Sequence, residues 1–192
     1  MAPLIILSGP SGSGKSKIIE RLLAQSGLPL RLSVSATTRE PREYERNGVH
    51  YWFWTREQFE AKMREGAFLE WAEVHGQWYG TLRDEVDAYR ARGVGVLLDI
   101  DVQGAAQVRA RCPDCQSIFV RAPSLEELER RLRKRRTESE EKIVLRLANA
   151  RREMERMGEY DCVVVNDDLE AAVAQVRDSI ARAFQKGSGN AG

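Results

Sequence analysis

The residues of this chain with the plainest chemistry stand in one run. Gly9-Pro10-Ser11-Gly12-Ser13-Gly14-Lys15-Ser16 satisfies the pattern GxxxxGK[ST] in full. Glycines at this spacing let the backbone curl so that successive N–H groups point inward at phosphate oxygens, and a following helix adds the positive charge of its N-terminus. Lys15 supplies a mobile full charge, and Ser16 is placed to offer its hydroxyl directly to Mg²⁺ on the β- and γ-phosphates. The implied ligand is a nucleoside triphosphate. The alternative, a glycine-rich turn carrying a chance Lys-Ser, leaves both flanks unexplained: the apolar Leu4 to Ser8 run before it, and the helical spacing of Ile18, Ile19, Leu22 and Leu23 after it.

Two further clusters carry charge. Val96, Leu97 and Leu98 lead into Asp99-Ile100-Asp101, an apolar strand ending in carboxylates. Strand periodicity puts both aspartates on one side, at the sheet edge where α/β ligands gather, and a cation would offset their cost. A strand simply running out into solvent is the other reading. The second cluster places Arg130, Arg131, Arg133, Lys134, Arg135 and Arg136 just before Glu138, Glu140 and Glu141. Such a run suits nucleic acid, the ends of two successive helices, or a segment that closes arginines over transferring phosphates. The last is preferred for a protein that already binds a triphosphate.

The elements that must position these groups follow from composition and period. A chain of 192 residues is one domain of ordinary size, and 30 basic against 29 acidic residues, net +1, exclude a whole-molecule field for DNA or anionic membrane. With 42% hydrophobic and 31% charged residues it is a globular composition, expected to fold around one dominant core. No apolar run is long enough to cross a bilayer, and the Met1 to Leu7 segment reads as a strand rather than a leader. Three cysteines point to a reducing cytoplasm. Cys112 and Cys115 form a lone CxxC that lacks two further zinc ligands nearby and reads as a turn around Pro113 and Asp114.

Five strands are expected, at Leu4 to Ser8, Arg31 to Ser35, Gly95 to Asp101, Gln116 to Arg121 and Asp161 to Asn166, alternating with helical patterns as in a mainly parallel sheet. The clearest helix is Ser139 to Met157, with Ile143, Leu147, Ala150, Met154 and Met157 on one face and Gly158 ending it. Between Thr38 and Tyr79 the rhythm breaks and aromatic residues crowd together. That stretch reads as an inserted subdomain, with an Asn47-Gly48 turn, a Val49 to Trp54 strand, a Thr55-capped helix to Arg64, and Trp52, Phe53, Trp54 and Trp71 in packing roles.

Within and beyond the insertion the sequence becomes specific. Ser33 to Arg42, Asn47 to Tyr51, Phe68 to Glu73, Tyr79-Gly80-Thr81, Asp99 to Gly104, Arg135 to Glu138 and Val163 to Asp168 occur in an order and spacing that resemble the guanylate kinase family over nearly the whole chain. The resemblance implies an α/β fold, a P-loop NTPase-type three-layer sandwich on a five-stranded, mainly parallel sheet. A small mixed GMP-binding insertion (38–81) and a helical lid region (126–157) would stand on a core of 1–37, 82–125 and 158–186, and the Gly-Ser-Gly-Asn-Ala-Gly composition of 187–192 reads as a flexible tail. The implied reaction is phosphoryl transfer from Mg-ATP to GMP and dGMP.

The same resemblance distributes roles. Gly9, Pro10, Ser11, Gly12, Ser13, Gly14, Lys15, Ser16 and Asn166 would hold ATP. Arg39, Arg42, Tyr51 and Tyr79 would hold the GMP phosphate, two guanidinium forks and two phenols suiting a dianion. Ser35, Glu70 and Thr81 would read guanine: a carboxylate accepts from N1–H and the 2-amino group, and hydroxyls donate to O6. Asp101 would face the acceptor nucleotide. Lys15, Arg39, Asp99, Arg131, Arg135 and Arg146 would serve catalysis, Asp99 supporting Mg²⁺ through water. The chain departs from the family at Arg136, where glycine is usual, at Tyr44, Arg46 and His50, and at Lys17. Partners would be nucleotides and neither nucleic acid nor membrane, in a monomer or a homodimer. The rivals are a non-catalytic guanylate-kinase-like binding module and a ribose-bisphosphate kinase of similar fold. A signalling GTPase is weaker, because no Asn-Lys-x-Asp signature follows.

Overall fold

The computed structural model describes residues 1–25, 27–74, 76–134 and 140–189. Strand β1 (Leu4–Ser8) is buried along its whole length, as expected of a central strand whose two faces both carry apolar side chains. Helix α1 (Lys15–Gln25) follows, then β2 (Leu30–Leu32). After an excursion described below come α3 (Arg83–Ala91), β7 (Gly95–Asp99), α4 (Val102–Arg111), β8 (Gln116–Arg121), α5 (Leu125–Lys134), α6 (Glu140–Glu155), β9 (Cys162–Val165) and α7 (Leu169–Gly189).

The main sheet has the order β2-β7-β1-β8-β9, every pairing parallel, with Leu7 beside Asp99 on one side and Ile118 on the other. Period-two alternation sorts its side chains into two cores. Leu4, Ile6, Val96, Leu98 and Phe119 face one layer of helices with Val102 and Val108, while Ile5, Leu7, Leu97, Ile118 and Val120 face the other with Ile18, Val176 and Ile180. The single dominant core expected from composition is therefore split into two large ones, one on each face of the sheet, with smaller clusters around Leu128 and Phe59. The connection leaving β1 runs outward to β2, and the one leaving β7 crosses over to β8. Their divergence opens a crevice at the C-terminal ends of β1 and β7.

The excursion forms a second sheet of order β4-β3-β6-β5, made of β3 (Ala36–Thr37), β4 (Trp52–Phe53), β5 (Phe68–Val74) and β6 (Gln77–Leu82). Helix α2 (Arg56–Arg64) covers it, begun by a full capping box in which the Thr55 hydroxyl accepts from the Gln58 N–H and the Gln58 side chain accepts from Thr55 N–H. Phe59 and Phe68 stack at 4.4 Å between centroids, with Trp52, Trp54 and Trp78 around them. The edge strand β5 is tied to α4: Gln107 donates to the Trp71 carbonyl at 2.7 Å, and Arg111 donates to the Leu69 carbonyl.

Several expectations need correction. The Arg31 to Ser35 strand is shorter and ends at Leu32, because the chain crosses there to the second sheet. The Val49 to Trp54 strand reduces to Trp52–Phe53, preceded by an isolated Asn47–Tyr51 bridge. Trp71 is 39% exposed: its ring stays 6.4 Å from that of Trp78, but the edge strand leaves it at the rim of the aromatic core rather than inside it. Helix α6 ends at Glu155 and gives way to a 3₁₀ turn (Met157–Glu159), so Met157 is exposed and Gly158 lies inside that turn. Helix α7 runs to Gly189, beyond the Gly187 start expected for the tail.

Cys112 and Cys115 flank a turn in which the Cys115 N–H donates to the Cys112 carbonyl at 3.0 Å. Both thiols are free, and burial pushes that of Cys115 up to about 11. Among the described residues no group of three or more His, Cys, Asp or Glu is placed to hold a metal ion, and no helix is long and apolar enough to cross a membrane.

Candidate functional site

The loop between β1 and α1 forms a cradle at the mouth of the crevice. Gly9 and Gly14 have φ of 134° and 95°, and at both a side chain would collide with a neighbour: the Val120 carbonyl at Gly9, the Asn166 amide at Gly14. The Lys15 ammonium folds back onto the Gly9 carbonyl. Asn166, buried at the end of β9, donates from its side-chain amide to the Ser13 carbonyl at 2.7 Å, and its own carbonyl accepts from Arg131 at 2.9 Å. The residue expected to contact ATP thus also fastens the cradle to the strand beside it.

Beside the cradle, Asp99 closes β7 with its carboxylate open to the crevice but surrounded by protein. That enclosure pushes it up, and the Lys15 charge opposes the shift. Asp101 is not on the strand. The chain turns at Ile100, and Asp101 becomes the N-cap of α4, accepting from the Gln103 and Gly104 N–H groups at 3.1 and 2.8 Å. The two aspartates therefore share the crevice but not a strand face.

Further along lie Glu70 of β5 and Thr81 of β6, register partners across an antiparallel pair. Glu70 is 3% exposed and Thr81 fully buried, and the Thr81 hydroxyl donates to the Glu70 carboxylate at 2.6 Å. Burial, aided by the charge of Asp101, pushes Glu70 up to about 7 against the pull of Thr81 and Arg111. A side chain at Gly104 would overlap the other Glu70 oxygen, so the first turn of α4 is bare where the carboxylate lies. Ser35 lines the same end of the crevice.

At its outer side, the Tyr51 and Tyr79 rings meet edge to face at 6.0 Å, and the Arg39 guanidinium sits 5.5 Å from the Tyr51 ring centre. Arg39 pairs with Glu45 at 2.9 Å. Arg42 is exposed, donating to the Tyr44 hydroxyl at 3.1 Å. Two residues noted as departures touch one another here: the Tyr44 ring stands edge-on to His50, whose Nδ1 accepts from the Arg46 N–H.

The basic run of α5 is largely paired. Arg130 and Arg131 both bond Glu127, holding its carboxyl down at about 2, and Arg133 bonds Glu129 and Glu140. Arg146 of α6 reaches across to donate to the Ser11 hydroxyl of the cradle at 2.7 Å. Arg135, like Arg136, lies outside the described residues.

Together these elements enclose a cleft of about 810 Å³. It is lined by the whole Gly9 to Ser16 cradle, and by Ser35, Tyr51, Glu70 and Tyr79 at its far end. Asp99, Asp101, Arg131 and Asn166 complete that set, whereas Arg39, Arg42, Thr81 and Arg146 stand behind or beside the lining. Spacing in the sequence does not single out Glu45 or Gly104. Glu127 carries a usable signal, four residues before Arg131 on one helix.

A sequence model described as guanylate kinase matches residues 1–183. Among curated relatives, guanylate kinase of Rubrobacter xylanophilus is 54% identical over 170 residues, covering 88% of each chain. Guanylate kinase of Neisseria gonorrhoeae is 51% identical, covering 88% of this chain and 82% of that one. Among solved structures, guanylate kinase from Anaplasma phagocytophilum superposes with a TM-score of 0.76 at 32% identity, over 95% of this chain and 86% of that one.

Proposed function

The chain belongs to the guanylate kinase family and is an ATP:GMP phosphotransferase, and from that premise we propose how its residues divide the work. The cradle holds the ATP phosphates. Glu70, Thr81 and Ser35 read the guanine, and dGMP serves as well as GMP because none of these three groups addresses the ribose. Arg39, Arg42, Tyr51 and Tyr79 receive the acceptor phosphate, whose oxygen attacks the γ-phosphorus in line, so positioning and charge stabilisation supply most of the catalysis. Lys15 and the lid arginines, Arg131, Arg135 and Arg146, spread the developing charge. The 38–81 insertion and the 126–157 lid close on the core and exclude water.

Magnesium fits this arrangement. Mg²⁺ favours one or two carboxylates together with substrate phosphates, and Asp99 offers an enclosed carboxylate open to the cleft that Ser16 also lines. Ser16 would hold the ion directly and Asp99 through water, and its charge would offset that of the transferring phosphates. We place the reaction in the cytoplasm, on the three free cysteines.

The observation that carries the reading is that the buried Glu70, hydrogen-bonded by Thr81 from behind, lines the same cleft as the phosphate cradle. The test is ADP formation from Mg-ATP with GMP, dGMP, AMP, UMP or no acceptor, repeated with Lys15→Ala and Glu70→Ala. Turnover confined to the guanine nucleotides and lost in both variants is the expected result. Binding of GMP without turnover by the folded protein would transfer the reading to a non-catalytic module.

A further inference from the structure

The phosphate end of the acceptor site holds a negative charge where a dianion has to bind. The Glu45 side chain is only 6% exposed, yet one oxygen accepts from Arg39 Nη2 at 2.9 Å and the other from the Arg42 backbone N–H at 2.8 Å. The Glu45 N–H in turn donates to the Arg42 carbonyl at 2.9 Å, closing the turn that carries Arg42. Arg39 is held on its edge by Glu45 and by the Glu40 carbonyl at 2.7 Å, and its face lies 5.5 and 5.7 Å from the Tyr51 and Phe53 ring centres.

A guanidinium has five N–H donors in a fixed fork. With two edges of contact spent on the protein, the remaining donors point in one defined direction, and the rotamer freedom otherwise lost on binding is already gone. We propose that Glu45 is a positioning residue of the acceptor-phosphate subsite, fixing Arg39 and the Arg42 turn in the orientation that receives the phosphate of GMP. The electrostatic cost of a carboxylate near the dianion is offset by this order. Burial alone would push the pKa of such a group up, but the Arg39 contact dominates and holds Glu45 below the usual carboxylate range, so it is ionised when GMP arrives.

This inference rests on the GMP reading above, and the experiment separates the two. Calorimetric titration of GMP and of guanosine, which lacks the phosphate, is carried out on the wild type, Glu45→Gln and Glu45→Asp, alongside steady-state kinetics. Glu45→Gln is expected to weaken GMP binding by about tenfold, the size of a lost charge-assisted contact, and to raise KM for GMP more than it lowers kcat. Guanosine affinity and KM for ATP stay unchanged, and Glu45→Asp falls between the wild type and Glu45→Gln. Unchanged or tighter GMP binding by Glu45→Gln would overturn the proposal, the tighter case making Glu45 an inhibitory stand-in for phosphate. A parallel loss of guanosine would also overturn it, reducing Glu45 to a scaffold of the insertion. If Glu45→Gln does not fold, Glu45→Asp decides by the same comparison. A wild type that ignores GMP would instead sink the GMP reading.

Discussion

The Thr81 hydroxyl donates to the Glu70 carboxylate across 2.6 Å between neighbouring strands, and both groups are out of water. Hydrogen bonding from Thr81 and the charge of Arg111 do not compensate this burial, and the charge of Asp101 adds to the imbalance, so Glu70 is pushed up to about 7. The group assigned to reading guanine must be charged to accept from two N–H donors, in a place that disfavours charge. On the proposed assignment ligand and protein are complementary: guanine would supply donors beyond the one from Thr81.

That complementarity makes guanine binding depend on pH. Only the ionised carboxylate accepts twice, so guanosine affinity should rise with pH up to about 7 and level off above it, approaching about tenfold per pH unit on the acid side. Guanosine is the ligand of choice because the GMP phosphate itself titrates near 6. Calorimetry from pH 5.5 to 8.5 checks this, with Glu70→Gln as the variant in which the dependence disappears. A flat wild-type profile would remove Glu70 from guanine recognition.

The same shift affects folding. The carboxyl of Glu70 titrates higher folded than unfolded, so its contribution is fully present below about pH 4.5 and is lost as pH rises through about 7. By pH 8.5 the ionised side chain costs the empty protein about 3 kcal/mol. Glu70→Gln removes that cost while keeping an acceptor for Thr81. Its Tm should exceed the wild-type value by about 5–10 °C at pH 8.5, the gap shrinking towards pH 4.5. Thermal melts across this range measure it, and equal Tm values at pH 8.5 would refute it.

The sequence was legible where one signal decided one feature. Continuous apolar runs located the central strands of the main sheet, and the Thr55 cap located the start of α2. The cradle needed only its glycine spacing. What could not be read were features set by two segments meeting. Ala36 and Thr37 pair with β6 rather than extending β2, a choice made by a tertiary partner. Asp101 leaves the strand pattern because capping α4 satisfies two backbone donors. Glu45 looks like any charged loop residue until Arg39 is seen folded onto it.

Gly104 shows how little room the guanine end has. A methyl group there would overlap the buried Glu70 oxygen, and that carboxylate is fixed from its other side by Thr81. Gly104→Ala should displace Glu70, raising KM for GMP by about tenfold or more while leaving KM for ATP unchanged. Helix propensity favours alanine over glycine by about 1 kcal/mol, so a general loss of α4 is not expected. Steady-state kinetics with each substrate varied in turn checks the split, and unaltered GMP kinetics would show that Glu70 moves aside freely.

Asn166 offers the matching test at the ATP end. Its amide satisfies the Ser13 carbonyl, whereas its contact with Arg131 is made through the backbone carbonyl and survives any side-chain change. Asn166→Ala should therefore loosen the cradle without freeing the lid arginine from that contact. Leaving the Ser13 carbonyl unsatisfied costs about 1–3 kcal/mol of stability, and KM for ATP should rise several-fold with GMP affinity unchanged. Asn166→Asp should be worse than alanine. It is nearly the same shape, but it sets a carboxylate against a carbonyl oxygen and beside the triphosphate, so both terms turn repulsive. Thermal melts and ATP titrations of the two variants decide the matter: an aspartate variant as stable and as ATP-competent as the wild type would show that the Asn166 amide does not hold the cradle.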